Sequence, residues 1–169
     1  MTAIDEDLFK AGMRRLAAGV SIISAQSSVG PVGITATAVT SLSAAPPSLL
    51  CCVNKNLMLG EAIQHSGRFC LNMLRDEQHP LARRFAGMEG ARGTEKFSEG
   101  SWIESIGGTP ALRDSLVSFD CRLDGVTEHG THYIVIGLID EVRLGPPGSP
   151  LLYCDATFSS LVPLPAVDV

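Results

Sequence analysis

Apolar positions first recur at helical spacing over residues 5–18, where Phe9, Met13, Leu16 and Ala17 share one face. Asp5 or Asp7 caps this predicted helix and Gly19 ends it. Residues 20–25 are rich in β-branched side chains and predict a strand. Gly30-Pro31 marks a turn, and residues 32–43, rich in Thr, Val and Ile, predict one further strand. Pro46-Pro47 interrupts the pattern, and the apolar run 48–54 suits a buried strand. A short helix is expected over 57–65, stopping near Gly67, and a strand over 68–74. Pro80 suits the first turn of another helix, which runs to about Ala86 and is closed by Gly87. Residues 87–101 hold four glycines and mixed charges and are expected to form a mobile loop. Val117, Phe119, Cys121 and Leu123 then alternate with polar residues, as in a half-buried strand. Residues 132–144 predict a long strand, Gly145-Pro146-Pro147-Gly148 a turn, and 151–153 and 157–161 two short closing strands. About seven strands with short helices between them, and no repeating βαβ rhythm, predict a mostly β chain folded as a barrel or sandwich.

Composition narrows the class. The 169 residues suit a single domain, 1–169, with its own core. A net charge of −5 and no basic stripe argue against nucleic acid as a partner. No apolar run reaches the ~18 residues of a membrane helix, and the acidic start lacks the pattern of a signal peptide. Five cysteines without CxxC or Cys/His spacing are expected to be buried, reduced thiols of a cytoplasmic protein.

No nucleophile, metal or phosphate-loop motif is present. His129 and His132 stand three apart, which within one strand places them on opposite faces, so no metal site is expected. An enzyme built this way would leave its chemistry to a bound cofactor. Three segments suit one. The run 33–41 is small and hydroxyl-rich, and a period of two puts Thr35, Thr37 and Ser41 on one face. The apolar run 50–53 ends in Asn54-Lys55-Asn56, which offers amides and a cation. Residues 81–87 carry Arg83 and Arg84 on what is expected to be the wet face of a helix. Each segment alone is also explained as ordinary strand, turn or helix.

Together and in order, these segments resemble a known family. The carrying residues are Gly33-Ile34-Thr35-Ala36-Thr37-Ala38-Val39, Pro46-Pro47-Ser48-Leu49, Cys52-Val53-Asn54 and Asn72-Met73-Leu74 with Glu77-Gln78. They continue with Ala82-Arg83, Phe85-Ala86-Gly87-Met88, Phe97-Ser98, Trp102 and Gly130-Thr131-His132. The set is similar to the short-chain flavin reductases, nearest to the reductase components of 4-hydroxyphenylacetate 3-monooxygenases. The resemblance implies an antiparallel, FMN-binding split β-barrel that forms a homodimer. It implies hydride transfer from NADH or NADPH to FMN or FAD, with the reduced flavin leaving for a separate oxygenase.

The resemblance also assigns roles. Thr35, Ala36, Thr37 and Ala38 would lie along the flavin ring or ribityl chain, with Ser41 near the chain or phosphate. Cys52, Val53 and Asn54 would set backbone groups near the ring, with Lys55 a candidate for the charge of reduced flavin. Phe85 and Ala86 would close the far side near the phosphate, and His132 would orient the nicotinamide. Leu57 stands where relatives often carry a phosphate-binding Ser, which puts direct anchoring there in question. Two other outcomes stay open: bound FMN passing electrons to another small acceptor such as a corrinoid, and a flavin-binding protein without turnover.

Overall fold

The computed structural model describes residues 4–165. Three α-helices and twelve strands follow in order: α1 (Glu6–Arg14), β1 (Ala18–Gly19), β2 (Ser21–Ser27), β3 (Gly30–Ala36), β4 (Val39–Ala44), β5 (Pro47–Asn54), α2 (Met58–Ser66), β6 (Arg68–Met73), α3 (His79–Phe85), β7 (Trp102–Glu104), β8 (Pro110–Leu112), β9 (Val117–His129), β10 (His132–Leu144), β11 (Leu151–Cys154) and β12 (Thr157–Ser160). Short 3-10 turns occupy Asp76–Gln78 and Gly93–Ser98. Among the described residues no helix is long and apolar enough to cross a membrane.

Seven strands form the main sheet in the order β3-β2-β6-β9-β10-β5-β4, all antiparallel. Its two edge strands, β3 and β4, are consecutive in sequence and joined by only Thr37 and Ala38. Seven strands laid flat would hold their edges about 29 Å apart. Two linking residues span at most about 11 Å between Ala36 and Val39. The sheet therefore curls until its edges meet, without a β3–β4 ladder to close it. The expected barrel is present, and it is split along this seam.

The predicted single strand over 32–43 is thus two strands at opposite edges. Val39 N–H donates to the Thr37 carbonyl, and Cys52 N–H to the Ala38 carbonyl, so the chain crosses from one edge to the other within this link. The break also ends the period of two, and Thr35 and Ser41 do not share a face of one strand.

Two apolar cores explain the strand patterns. Ile23, Val53, Phe69, Leu71, Cys121 and Val135 fill the barrel with Leu59 and Ile63 of α2. Ile22, Leu74, Leu81, Phe85, Leu112 and Leu151 form a second core on the other face. β2 contributes to both, so Ser21 to Ala25 are all buried and the strand reads as a continuous apolar run rather than an alternation. The five described cysteines are free; Cys51, Cys70 and Cys121 are buried, Cys52 and Cys154 half-buried. Burial pushes the Cys51 and Cys70 thiols up to about 12, which keeps them neutral and unreactive.

Candidate functional site: the barrel seam

β9 and β10 form a hairpin closed by the two-residue turn Gly130-Thr131. Gly130 takes φ +54°, the first central position of a type II′ turn that glycine serves best. His132 opens β10 and is exposed. It pairs with Asn54 of β5 on one side and His129 of β9 on the other. Partners directly opposite project to the same face. The expectation that His129 and His132 oppose each other is therefore overturned: they sit on two strands, not one. Thr131 Oγ1 shares a 2.8 Å hydrogen bond with His132 Nδ1, which orients the ring.

The seam-facing side of β5 carries Cys52 and Asn54, aligned with Ile134 and His132 of β10. Val53 points the other way and is fully buried in the barrel, so only its backbone is available. Asn54 Oδ1 accepts from the Asn56 N–H at 2.9 Å, shaping the turn that follows. Lys55 pairs with Glu128 at 3.1 Å, and its N–H donates to the Thr131 carbonyl at 3.0 Å. These bonds fasten the hairpin tip carrying His132 to the end of β5. Lys55 is thus not an unpaired cation.

The turn leads into α2. Leu57 is its N-cap and makes no side-chain cap, so the first N–H groups of the helix have no side chain to satisfy them. They border a cleft of about 370 Å³ between Val32-Gly33-Ile34 of β3, the start of α2, and the segment from Ala86 to Lys96. Gly87, Gly90 and Gly93 take φ of +77°, +80° and +52° around its rim. Arg92 and Lys96 bring two cations to its wall. Lys96 Nζ donates to the Phe85 carbonyl at 2.9 Å and the Gly33 carbonyl at 3.3 Å. Burial of the Lys96 amine lowers its pKa.

The glycine-rich segment is not the loose loop expected from its composition. Arg84 holds it in a 3-10 turn through the Lys96 and Glu95 carbonyls, Ser98 Oγ and the Glu99 carboxylate. Arg84 therefore does not lie on a wet helix face; it is tucked against this turn, while Arg83 is exposed. Arg84 stood in a segment singled out from the sequence, but with its side chain expected in water, and Lys96 did not stand out at all. The glycine spacing was the only local signal, and it pointed equally to flexibility.

Other expected site residues divide. Thr37, Ala38 and Ser41 are exposed at the seam, and Ala86 at the cleft. Ala36 is buried. Thr35 Oγ1 donates to the Ala82 carbonyl at 2.6 Å, so its hydroxyl ties β3 to α3. The Phe85 ring is buried against Phe97 and Trp102, with centroids 4.9 and 5.3 Å away, and forms core rather than cleft wall. Gly33 fits because a Cβ there would come within 2.8 Å of that ring and 3.1 Å of the Ile23 carbonyl.

Both cleft walls continue into the seam. β3 runs from Gly33 through Thr35 to Ala36 and hands on to Thr37, and the turn leads from Leu57 back to Asn54 and Cys52. The donor set fits a phosphorylated planar cofactor. Helix N–H groups, two cations and glycines surround one end, and small residues, an amide and an imidazole line the other. Leu57 offers no hydroxyl at this end, and Arg92 and Lys96 are the cations that line the cleft.

Comparison with known proteins agrees. The flavin reductase like domain matches residues 13–161. The 4-hydroxyphenylacetate 3-monooxygenase reductase component of Escherichia coli is 37% identical over 150 residues, covering 89% of this chain and 88% of that protein. An FMN reductase (NADH), RutF 1, of Methylorubrum extorquens is 35% identical over 158 residues, covering 94% and 78%. The crystal structure of a flavin reductase domain protein from Arthrobacter sp. FB24 superposes with a TM-score of 0.86 at 31% identity, covering 96% of this chain and 99% of that one. Fold, seam and relatives together show that this chain belongs to the flavin reductase-like family.

Proposed function

We propose that this protein is an NAD(P)H:flavin oxidoreductase that supplies reduced FMN or FAD to a separate oxygenase component. The observation that carries the reading is the cleft at α2, lined by Arg92 and Lys96, whose walls lead along the chain to Thr37 on one side and to Asn54, the partner of His132, on the other, in a chain whose relatives are flavin reductases. Bound flavin supplies the hydride-accepting chemistry, with reduced nicotinamide as donor. The chain's own task is to hold two planar groups face to face, which removes most of the entropic barrier to transfer. Lys96, Arg92 and the first N–H groups of α2 hold the phosphate. Backbone groups of Thr35 to Ala38 and of Cys52 to Asn54 border the ring, with Ser41 beside the chain. Ala86 and the backbone of Phe85 close the cleft. Lys55 contributes positive potential despite its pairing with Glu128, and His132, oriented by Thr131, positions the nicotinamide.

The working unit is a homodimer, and the chain folds as one domain. Supporting this, α1 buries none of its residues within the chain; Leu8, Phe9 and Met13 on it are 68%, 58% and 50% exposed, and Leu16 just past its end is 64% exposed. An apolar stripe of that size on a helix calls for a cover. A cytoplasmic location suits the free thiols.

The test is anaerobic. Protein mixed with NADH and excess FMN is followed at the nicotinamide and flavin bands. Many turnovers of free flavin are expected. Reduction of one bound equivalent only would point to a different acceptor, and no reduction with NADH or NADPH would leave a flavin-binding protein without turnover. His132→Ala is expected to raise the KM for NAD(P)H more than that for flavin; equal effects would return His132 to a structural role.

A further inference from the structure

We propose that His129 and His132 form a two-imidazole site for a zinc-like divalent transition cation at the tip of the β9–β10 hairpin. The two residues are direct cross-strand partners flanking the Gly130-Thr131 turn, and both are exposed. Partners so placed have Cβ atoms about 4.5–5.5 Å apart on one face, a span that one cation bridges with two imidazoles. The tip is held in advance, because Lys55 bonds the Thr131 carbonyl at 3.0 Å and the Glu128 carboxylate at 3.1 Å. Organisation before binding spares the cation the cost of ordering a loop.

A second observation concerns the ring nitrogens. A ligating imidazole usually gives its other N–H to an oxygen acceptor, which raises its basicity and fixes its orientation. Thr131 Oγ1 stands 2.8 Å from His132 Nδ1, which leaves Nε2 for a metal. No group of three or more His, Cys, Asp or Glu among the described residues surrounds a common point. The pair therefore leaves the remaining coordination positions to water, and the site is open and reversible.

The consequence for activity rests on the role proposed above for His132. A cation on its Nε2 takes the ring away from the nicotinamide, so the metal inhibits reduction in competition with NAD(P)H. The binding itself does not depend on that role.

Zinc chloride is titrated into the wild-type protein, His129→Gln and His132→Gln by calorimetry in a non-coordinating buffer, and NADH oxidation is measured alongside. His65 and His79 remain in every variant and give the background of single imidazoles. Binding at one site per chain in the wild type is expected, weakened more than about tenfold in both variants, since even outer-shell changes cost about 10–100-fold. His129→Gln is expected to keep its uninhibited rate and lose sensitivity to zinc. Equal zinc affinity in all three proteins would overturn the site. Zinc bound by the pair without inhibition would leave the site standing and overturn the role of His132 instead.

Discussion

Two asparagines of the family-like set, Asn72 and Asn54, sit in regions that treat the same side chain in opposite ways. Asn72 is fully buried on β6. Its Nδ2 donates to the Ile22 carbonyl and Ser24 Oγ, both at 3.1 Å; its Oδ1 accepts from the Leu112 N–H at 2.7 Å and Ser118 Oγ at 2.9 Å. Two donors and two acceptor positions are the full capacity of an amide. That hub joins β2, β6, β8 and β9 and has nothing left for a ligand. Asn54 is half-exposed at the seam, and among the described residues its side chain makes one bond, from Oδ1 to the Asn56 N–H. Its Nδ2 is spare. Membership of a motif thus does not separate scaffold from site; the state of the hydrogen-bond inventory does.

That contrast can be broken at its buried end first. Asn72→Leu removes the hub and leaves the buried Leu112 N–H without a partner, while Ser24 Oγ keeps the Pro110 carbonyl and Ser118 Oγ keeps Ser115 Oγ. An unpaired buried donor costs about 1–3 kcal/mol, and each further bond lost about 1 kcal/mol. The variant is expected to lose about 3 kcal/mol or more in urea unfolding, with any folded fraction keeping wild-type KM values. A normal unfolding midpoint would deny the hub its structural weight.

The seam end is expected to respond the other way. Lys96→Met removes a cation from the phosphate end of the cleft, and a charge-assisted contact of this kind is worth about 1.5 kcal/mol or more. The KM for FMN should rise about tenfold, while that for riboflavin, which has no phosphate, should stay put. A parallel loss with both flavins would mean that Lys96 acts only through the Gly33 and Phe85 carbonyls it bonds.

Thr35 tests the border between the two classes, with the smallest effect. It lies on the seam strand, yet its hydroxyl is given to Ala82. Thr35→Val is expected to cost about 1 kcal/mol of stability and to leave flavin affinity nearly unchanged. Weaker flavin binding at unchanged stability would move that hydroxyl from scaffold to site.

The sequence made the long ladder strands legible through their apolar patterns: β5 and β6 are apolar runs, and β9 alternates in sequence. The burial of β9 departs from that alternation, because Ser118 and Asp120 are buried and Val117 and Phe119 only half-buried. The break at Thr37-Ala38 was invisible because a Thr/Ala run contains no Gly or Pro and suits either outcome. β7 and β8 are three residues each, too short to show a period. The order of the 93–98 turn comes from Arg84, more than ten residues earlier, and no local pattern reports such a bond. The face shared by His129 and His132 follows from a hairpin whose turn carries only one weak signal, Gly130. Of the candidate site, the segments were readable; their assembly around α2 was set by tertiary contacts alone.

The two-residue link between β3 and β4 has a mechanical consequence. Six antiparallel steps separate the two edges of the sheet, so β3 and β4 run in the same direction and follow one another head to tail through Thr37-Ala38. A hairpin there would fold one edge back along the other; here the chain steps across the split once, and Gly30 and Ala44 lie on opposite sides of the crossing. Thr37-Ala38 is thus a single strap over the seam, and it fixes how far the residues of one edge are offset along the strand direction from those of the other.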